Sequence, residues 1–217
     1  MFQRYTQTAR RVIFSGRYMA GRTGSSNIET EHILLGLLRE DRGLARRFLG
    51  SPWAVQEVWE AVEQIKPVQE NAPVLGEIPL TNESKRVLSF AFEEADAVSN
   101  QHVCTEHLLL GLLREEESLA AQILSGRGVR LASTRQELMQ TPHDDSITEK
   151  FVREQSLLPE DVIESQTRLK SIRTLIENAI GEHDFATARA LSDEEGKESK
   201  KLFLLCRKHG LNDWLYD

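Results

Sequence analysis

Residues 30–40 read TEHILLGLLRE and residues 105–115 read TEHLLLGLLRE, with Leu108 in place of Ile33 as the single difference. At the same offset of seventy-five the match extends on both sides. Arg11 and Val12 meet Arg86 and Val87, Ala20 meets Ala95, and Thr6 meets Thr81. Leu44 and Ala45 meet Leu119 and Ala120, and Leu49 meets Leu124. From 9–40 against 84–115 no gap is required. A period this long exceeds that of the common solenoids and indicates tandem duplication of a small domain.

Each copy is predicted to be helical. TQTARRVIFSGRYMAG and TNESKRVLSFAFEEADAVSN both open on a Thr able to cap a helix and continue with apolar residues three and four apart. Val87, Leu88, Ala91 and Ala95 form a stripe, while Lys85, Glu93, Glu94 and Asp96 lie off it. Gly16 and Gly21 interrupt the first copy, which is therefore expected to be shorter or bent. Thr30 and Thr105 begin the second helix of each copy, with Glu31 and Glu106 in the first turn, where the helix dipole favours a carboxylate. Gly36 and Gly111 each cost about 1 kcal/mol of helix propensity relative to Ala, a cost that close approach of a neighbouring helix would offset. A third helix is predicted through GLARRFLG and SLAAQILS, and a fourth through PWAVQEVWEAVEQI and VRLASTRQELMQ. KPVQENAPVLGEIPL, with three prolines in fifteen residues, reads as the connection between copies.

Two copies of TEHLLLGLL, each preceded by a Thr-initiated ARRV or SKRV helix and joined through an Ile-Pro linker, resemble the Clp N-terminal repeat domain at the front of the ClpA and ClpC unfoldases. The resemblance covers about residues 2–140. It implies an all-α fold: a tandem pseudo-twofold repeat of four-helix units, about eight helices, followed here by a C-terminal helical hairpin. Repeat one is assigned to 1–65, a linker to 66–79 and repeat two to 80–140. The family carries Gly before Thr-Glu-His, whereas this chain carries Glu29 and Cys104.

Beyond residue 140 the chain becomes polar and acidic, and 141–164 is assigned as linker. Ile172, Leu175, Ile176, Ala179 and Ile180 then share one predicted helical face. After a break near Gly181, Phe185, Ala188 and Leu191 continue at helical spacing, which gives a hairpin over 165–210. Ala179, Ile180, Asp184, Phe185, Ala188 and Asp193 resemble the UVR motif, an interaction hairpin of UvrB, UvrC and the middle region of ClpC. Ser192 stands where that motif has Arg. The resemblance implies a partner-binding hairpin through Asp184, Phe185 and Ala188. A plain amphipathic hairpin is the competing reading.

The chain has 217 residues, 40% of them hydrophobic and 28% charged, enough for a real core. No apolar run approaches the roughly 18–20 residues of a membrane span, and the first residues lack the apolar core of a secretory signal. Two cysteines, Cys104 and Cys206, provide no disulfide framework, so a reducing, cytoplasmic setting is expected. The net charge of −7 is uneven: +5 over residues 1–50, −7 over 51–140 and −5 over 141–217. An acidic chain is a poor nucleic-acid binder, although Arg4, Arg10, Arg11, Arg17 and Arg22 form a local basic cluster. Trp53, Trp59 and Trp214 fit a core or an interface equally, and periodicity selects no oligomeric state.

The motifs of catalysis are absent. There is no G-x-x-x-x-G-K-[ST] phosphate cradle, no G-x-S-x-G elbow, no H-E-x-x-H and no paired C-x-x-C, so no enzyme, cofactor or metal is expected. His32 and His107 are read as buried residues that tie a helix start to its neighbour. Cys104, at a helix start, has Glu29 as its counterpart, so a thiol function would exist in one copy only. Glu31 and Glu106 are the stronger candidates, each placed near the Thr that opens the first helix of its own repeat. A carboxylate can take a guanidinium bidentately, and a helix N-terminus takes a phosphate. By resemblance to ClpC-type domains, which bind arginine-phosphorylated substrates once per repeat, the candidates are Thr6, Glu31, Thr81 and Glu106. Arg10 and Arg11 favour the first repeat, and Glu83 disfavours phosphate at the second.

The resemblance implies a non-catalytic accessory that binds substrates or adaptors for a Clp ATPase. The absence of a motor between Met1 and Asp217 is expected of a stand-alone protein, and a piece of a longer Clp ATPase fits the same residues. The alternative is a UVR-mediated interaction protein in DNA repair or regulation.

Overall fold

A computed structural model of the chain describes residues 3–50, 52–67, 78–141, 159–181, 184–209 and 211. Trp214 lies outside them, as do the side chains of Trp53, Ile180 and Phe185. All regular structure among the described residues is helical, in two compact units, Met1–His143 and Asp144–Asp217. The first unit holds α1 (Gln7–Arg22), α2 (Thr30–Glu40), α3 (Arg42–Leu49), α4 (Pro52–Ile65), α5 (Asn82–Ala97), α6 (Thr105–Arg114), α7 (Leu119–Gly126) and α8 (Leu131–Gln140). The second holds α9 (Glu160–Gly181) and α10 (Phe185–Lys208).

Thr6 and Thr81 cap α1 and α5, their hydroxyls accepting from the amides of Ala9 at 3.2 Å and Ser84 at 3.1 Å. Each cap contributes about 1 kcal/mol. Both helices run for 16 residues, so Gly16 and Gly21 do not shorten α1. Gly16 instead lies against α2, where a Cβ would come 3.0 Å from the His32 carbonyl oxygen. Gly36 and Gly111 are required more strictly. A Cβ would meet the Val12 carbonyl at 2.3 Å from Gly36 and the Val87 carbonyl at 2.4 Å from Gly111. The propensity lost at these glycines permits backbone-close packing of α2 on α1 and of α6 on α5.

One core joins both copies. Leu34, Leu37 and Leu38 of α2 and Leu109, Leu112 and Leu113 of α6 lie buried in the same cluster as Val12, Val58, Val87 and Leu124. The register of the copies changes after α6. Asp41 both ends α2 and caps α3 through the Leu44 amide, whereas Glu115 ends α6 and Ser118 caps α7. The third helix of repeat two thus begins two residues later than the strict offset.

Two short parallel bridges tie the copies together, Tyr5 with Val103 and Ile28 with Leu80. Tyr5 and Leu80 are equivalent positions, as are Ile28 and Val103. The bridges are therefore reciprocal, the mark of an isologous, twofold-like interface. Arg4 strengthens one of them, bonding the carbonyls of Gln101 and Asn100 and pairing with Asp96 at 2.6 Å. Arg47 pairs with Glu137 at 2.8 Å and Arg127 pairs with Glu57. The basic first segment is thus partly spent on its acidic counterpart.

In the second unit the buried positions of α9 are Val162, Ser165, Leu169, Ile172, Ile176 and Ala179, a strict alternation of three and four residues. That is a coiled-coil seam, narrower than the face expected from sequence, and Leu175 is left about half exposed. Across it lie Ala188, Ser192, Glu195, Glu198, Leu202 and Cys206 of α10. Three of the polar members are paired: Ser165 donates to Glu198 at 2.7 Å and Arg173 to Glu195 at 2.8 Å. α9 opens at Glu160, inside the segment assigned as linker.

Candidate functional site

The reciprocal bridges determine which helix starts meet. The Thr6 amide donates to the Val103 carbonyl and the Val103 amide to Arg4, so the N-terminus of α6 stands beside that of α1. The Ile28 amide donates to Pro79 and the Thr81 amide to Ile28, so the N-terminus of α2 stands beside that of α5. The pairing expected within each repeat is therefore exchanged. Glu106 belongs with Thr6, and Glu31 belongs with Thr81 and Glu83. The reason is the short bridge, which hands each repeat's opening segment to the other copy.

The two glutamates differ in circumstance. Glu31 is 4% exposed. Its Oε1 lies 3.1 Å from the Lys66 ammonium, and Thr30 donates to its Oε2 at 3.3 Å. Burial pushes its carboxyl above the usual range and the charge of Glu83 adds to this, against hydrogen bonds from its own backbone and Thr30. Burial also lowers the Lys66 ammonium. Each charge is costly there without the other. Among the described residues, no such cation pairs with Glu106. Its Oε2 is buried and accepts no hydrogen bond among the described residues.

Arg11 is drawn away from the candidate site. It pairs with Glu40 at 3.2 Å, as its counterpart Arg86 pairs with Glu115. That repeated pair joins α1 to α2 and α5 to α6. Arg10 lies in the exposed first part of α1 and donates to the Gln3 carbonyl at 3.2 Å.

The histidines complete helix starts. Glu29 N donates to His32 Nδ1 at 3.0 Å and Cys104 N to His107 Nδ1 at 2.9 Å. With Nδ1 accepting, a neutral ring carries its proton on Nε2. In His32 that atom lies 3.1 Å from the Thr23 hydroxyl, which in turn donates to the Ala20 carbonyl. Every polar atom of the buried ring is satisfied, and burial depresses its pKa to about 4. Cys104, Glu106 and His107 do bring ligand atoms within 4.8 Å of one another, a cluster that their sequence spacing had not suggested. His107 is a poor ligand there, because a metal-bound imidazole needs one free lone pair and a donating N–H on the other nitrogen. The amide of Cys104 already claims Nδ1.

In the hairpin, Asp184 caps α10 by accepting from the Thr187 amide at 3.1 Å, and Thr187 holds its carboxyl below the usual range. Ala188 is buried in the seam. Of the three residues expected to meet a partner there, one is a cap, one is core, and the side chain of Phe185 lies outside the described residues.

The profile of the Clp repeat (R) N-terminal domain matches residues 4–126 and 79–168. The chain is 40% identical over 141 residues to "Chaperone protein ClpB" of Oceanobacillus iheyensis and 38% identical over 145 residues to "Negative regulator of genetic competence ClpC/MecB" of Bacillus subtilis. Each alignment takes in 64% of this chain and 17% of the relative, so the chain spans a small part of those proteins. Among solved structures, the N-terminal domain of ClpD from Arabidopsis thaliana superimposes with a TM-score of 0.52 at 26% identity, over 64% of this chain and 95% of that one. The Hsp104 N-terminal domain from Candida albicans, at 18% identity and a TM-score of 0.50 over 62% of this chain and 88% of that one, shares the fold.

Proposed function

Because the chain belongs to the Clp repeat N-terminal domain family, we propose that it is a recognition module that binds protein substrates or adaptors for an ATP-dependent Clp unfoldase and carries out no chemistry itself. The aligned region of the relatives is this interaction domain, without their motor. The ligand class proposed is a phosphorylated arginine side chain, received between the α6 and α1 N-termini.

One observation carries this reading: the buried Glu106 Oε2, which accepts no hydrogen bond among the described residues. A buried acceptor without a donor costs about 1–3 kcal/mol, more when charged. A guanidinium would supply two parallel donors. Beside it, α1 presents a helix N-terminus headed by Thr6, with Arg10 on its first turns, which suits the phosphate on the same side chain. Thr81 and Glu31 form the equivalent place in the other half, where Glu83 opposes a phosphate.

Calorimetric titration with free phosphoarginine tests the reading. Glu106→Ala is expected to weaken binding ten- to a hundredfold, the loss of a charge-assisted pair worth about 1.5–3 kcal/mol. Equal binding by mutant and parent removes the site. The hairpin is assigned by the same proposal to docking on a larger Clp assembly. Capture of a Clp ATPase from the parent cell by the full chain, and not by a chain lacking its last fifty residues, is the expected result. Capture of a Uvr protein instead favours the repair or regulatory alternative.

A further inference from the structure

The duplicated architecture contains its own control, since every feature of one site can be compared with its counterpart in the other. Lys66 follows α4 by one residue, and its amide donates to the Val62 carbonyl at 2.7 Å, so the helix holds its backbone. Thr141 follows α8 by one residue, and its amide donates to the Glu137 carbonyl at 3.0 Å. Both residues follow the fourth helix of their copy, with different chemistry. The Lys66 ammonium lies 3.1 Å from Glu31 and also pairs with Glu29, the residue before Thr30. In repeat two the residue after α8 is the uncharged Thr141, the counterpart of Glu29 is Cys104, and Glu106 keeps an oxygen without a donor among the described residues. Among the described residues, the cation and its second anchoring carboxylate are both present in one half and both missing from the other.

We propose that Lys66 is a built-in occupant of the Glu31 carboxylate, which closes that site with the protein's own side chain and leaves the Glu106 site as the receptive one. This rests on the reading of the two glutamates as acceptors of a cationic side chain. The closed site differs from the open one in selectivity as well as access. With Lys66 withdrawn, Glu29, Glu31 and Glu83 would stand together, and three carboxylates attract a bare guanidinium or ammonium while repelling a phosphate. A competitor for the Glu31 site is thus an unphosphorylated arginine or lysine side chain. The Glu106 site has one carboxylate and a helix N-terminus, which suits a side chain carrying both charges.

The experiment follows backbone amide shifts of the full chain in two titrations, one with phosphoarginine and one with arginine amide. In the parent protein, phosphoarginine is expected to shift amides 6–9 and 104–107 and to leave 29–32 in place. Lys66→Gln is expected to let arginine amide shift 29–32 at concentrations at least tenfold lower than in the parent. Lys66→Arg, which keeps a cation, is expected to remain closed. Shifts of 29–32 in the parent matching those of 104–107, or a Lys66→Gln response no different from the parent, overturn the proposal. A parent protein in which phosphoarginine leaves 104–107 unmoved sinks the ligand reading instead. The comparison at 29–32 between parent and Lys66→Gln still reports on the closure in that event.

Discussion

At His32, a proton has nowhere to go in the folded state. Nδ1 already accepts from the Glu29 amide, and the ring is fully buried. The folded pKa of about 4 lies below the ordinary 6.5, so below pH 6.5 the unfolded chain takes up a proton that the folded one refuses. Stability therefore falls as the pH drops from about 6.5 towards 4. Between pH 7 and pH 5 the loss from this group is about 2 kcal/mol. Urea unfolding of the first unit at the two pH values measures it, and His32→Gln is expected to flatten the dependence. His107 is displaced downward by burial as well and adds in the same direction. The repeated Thr-Glu-His of the sequence thus divides its labour. The His closes a helix start, and the Glu beside it is the proposed binding group.

At the scale of the helix, the clearest expectation concerns Gly36 and Gly111. Alanine at either position would improve intrinsic helicity by about 1 kcal/mol. It would also place a methyl group against a carbonyl of α1 or α5, at 2.3 Å and 2.4 Å before any adjustment. Overpacking of this kind costs about 1–3 kcal/mol, so packing outweighs propensity. Gly36→Ala and Gly111→Ala are each expected to lower the thermal midpoint of the first unit, read by circular dichroism, and an unchanged or raised midpoint would contradict the packing argument. This requirement was legible in the sequence, because a helix breaker repeated inside two apolar helices has few explanations other than close approach. The hairpin seam was less legible. Ile172, Ile176 and Ala179 are buried as their spacing suggested, but Leu175 lies outside. The reason is that Ser165, Ser192, Glu195 and Glu198 occupy seam positions, with Ser165 and Glu198 bonded across the hairpin and Glu195 bonded across it to Arg173. A hydrophobicity pattern cannot register buried polar residues whose acceptors lie some thirty positions away.

For the whole first unit, the reciprocal bridges mean that neither repeat completes itself. Residues 1–67 alone would lose the partners of Tyr5 and Ile28 and half of the shared core. Two such fragments could satisfy each other, since Tyr5 of one copy can take Ile28 of the second where Val103 stood. The fragment is expected to be unfolded at low concentration and to gain helix only as it dimerises, as sedimentation and circular dichroism over a concentration series would record. A stable folded monomer would refute the exchange. Sequence by itself determined the all-α class, the duplication and the helix starts at Thr6, Thr30, Thr81 and Thr105, and it supplied the residues from which the proposed sites are drawn. Those features are local, set by caps, apolar spacing and repetition. Which copy's helix start meets which was settled only in three dimensions. The two copies are so alike that pairing within a repeat and pairing between repeats leave the same pattern along the chain. The tertiary structure also placed Arg11 on Glu40 and Lys66 on Glu31. A charge seen in sequence has no partner until packing brings one within a few ångströms and removes the water between them.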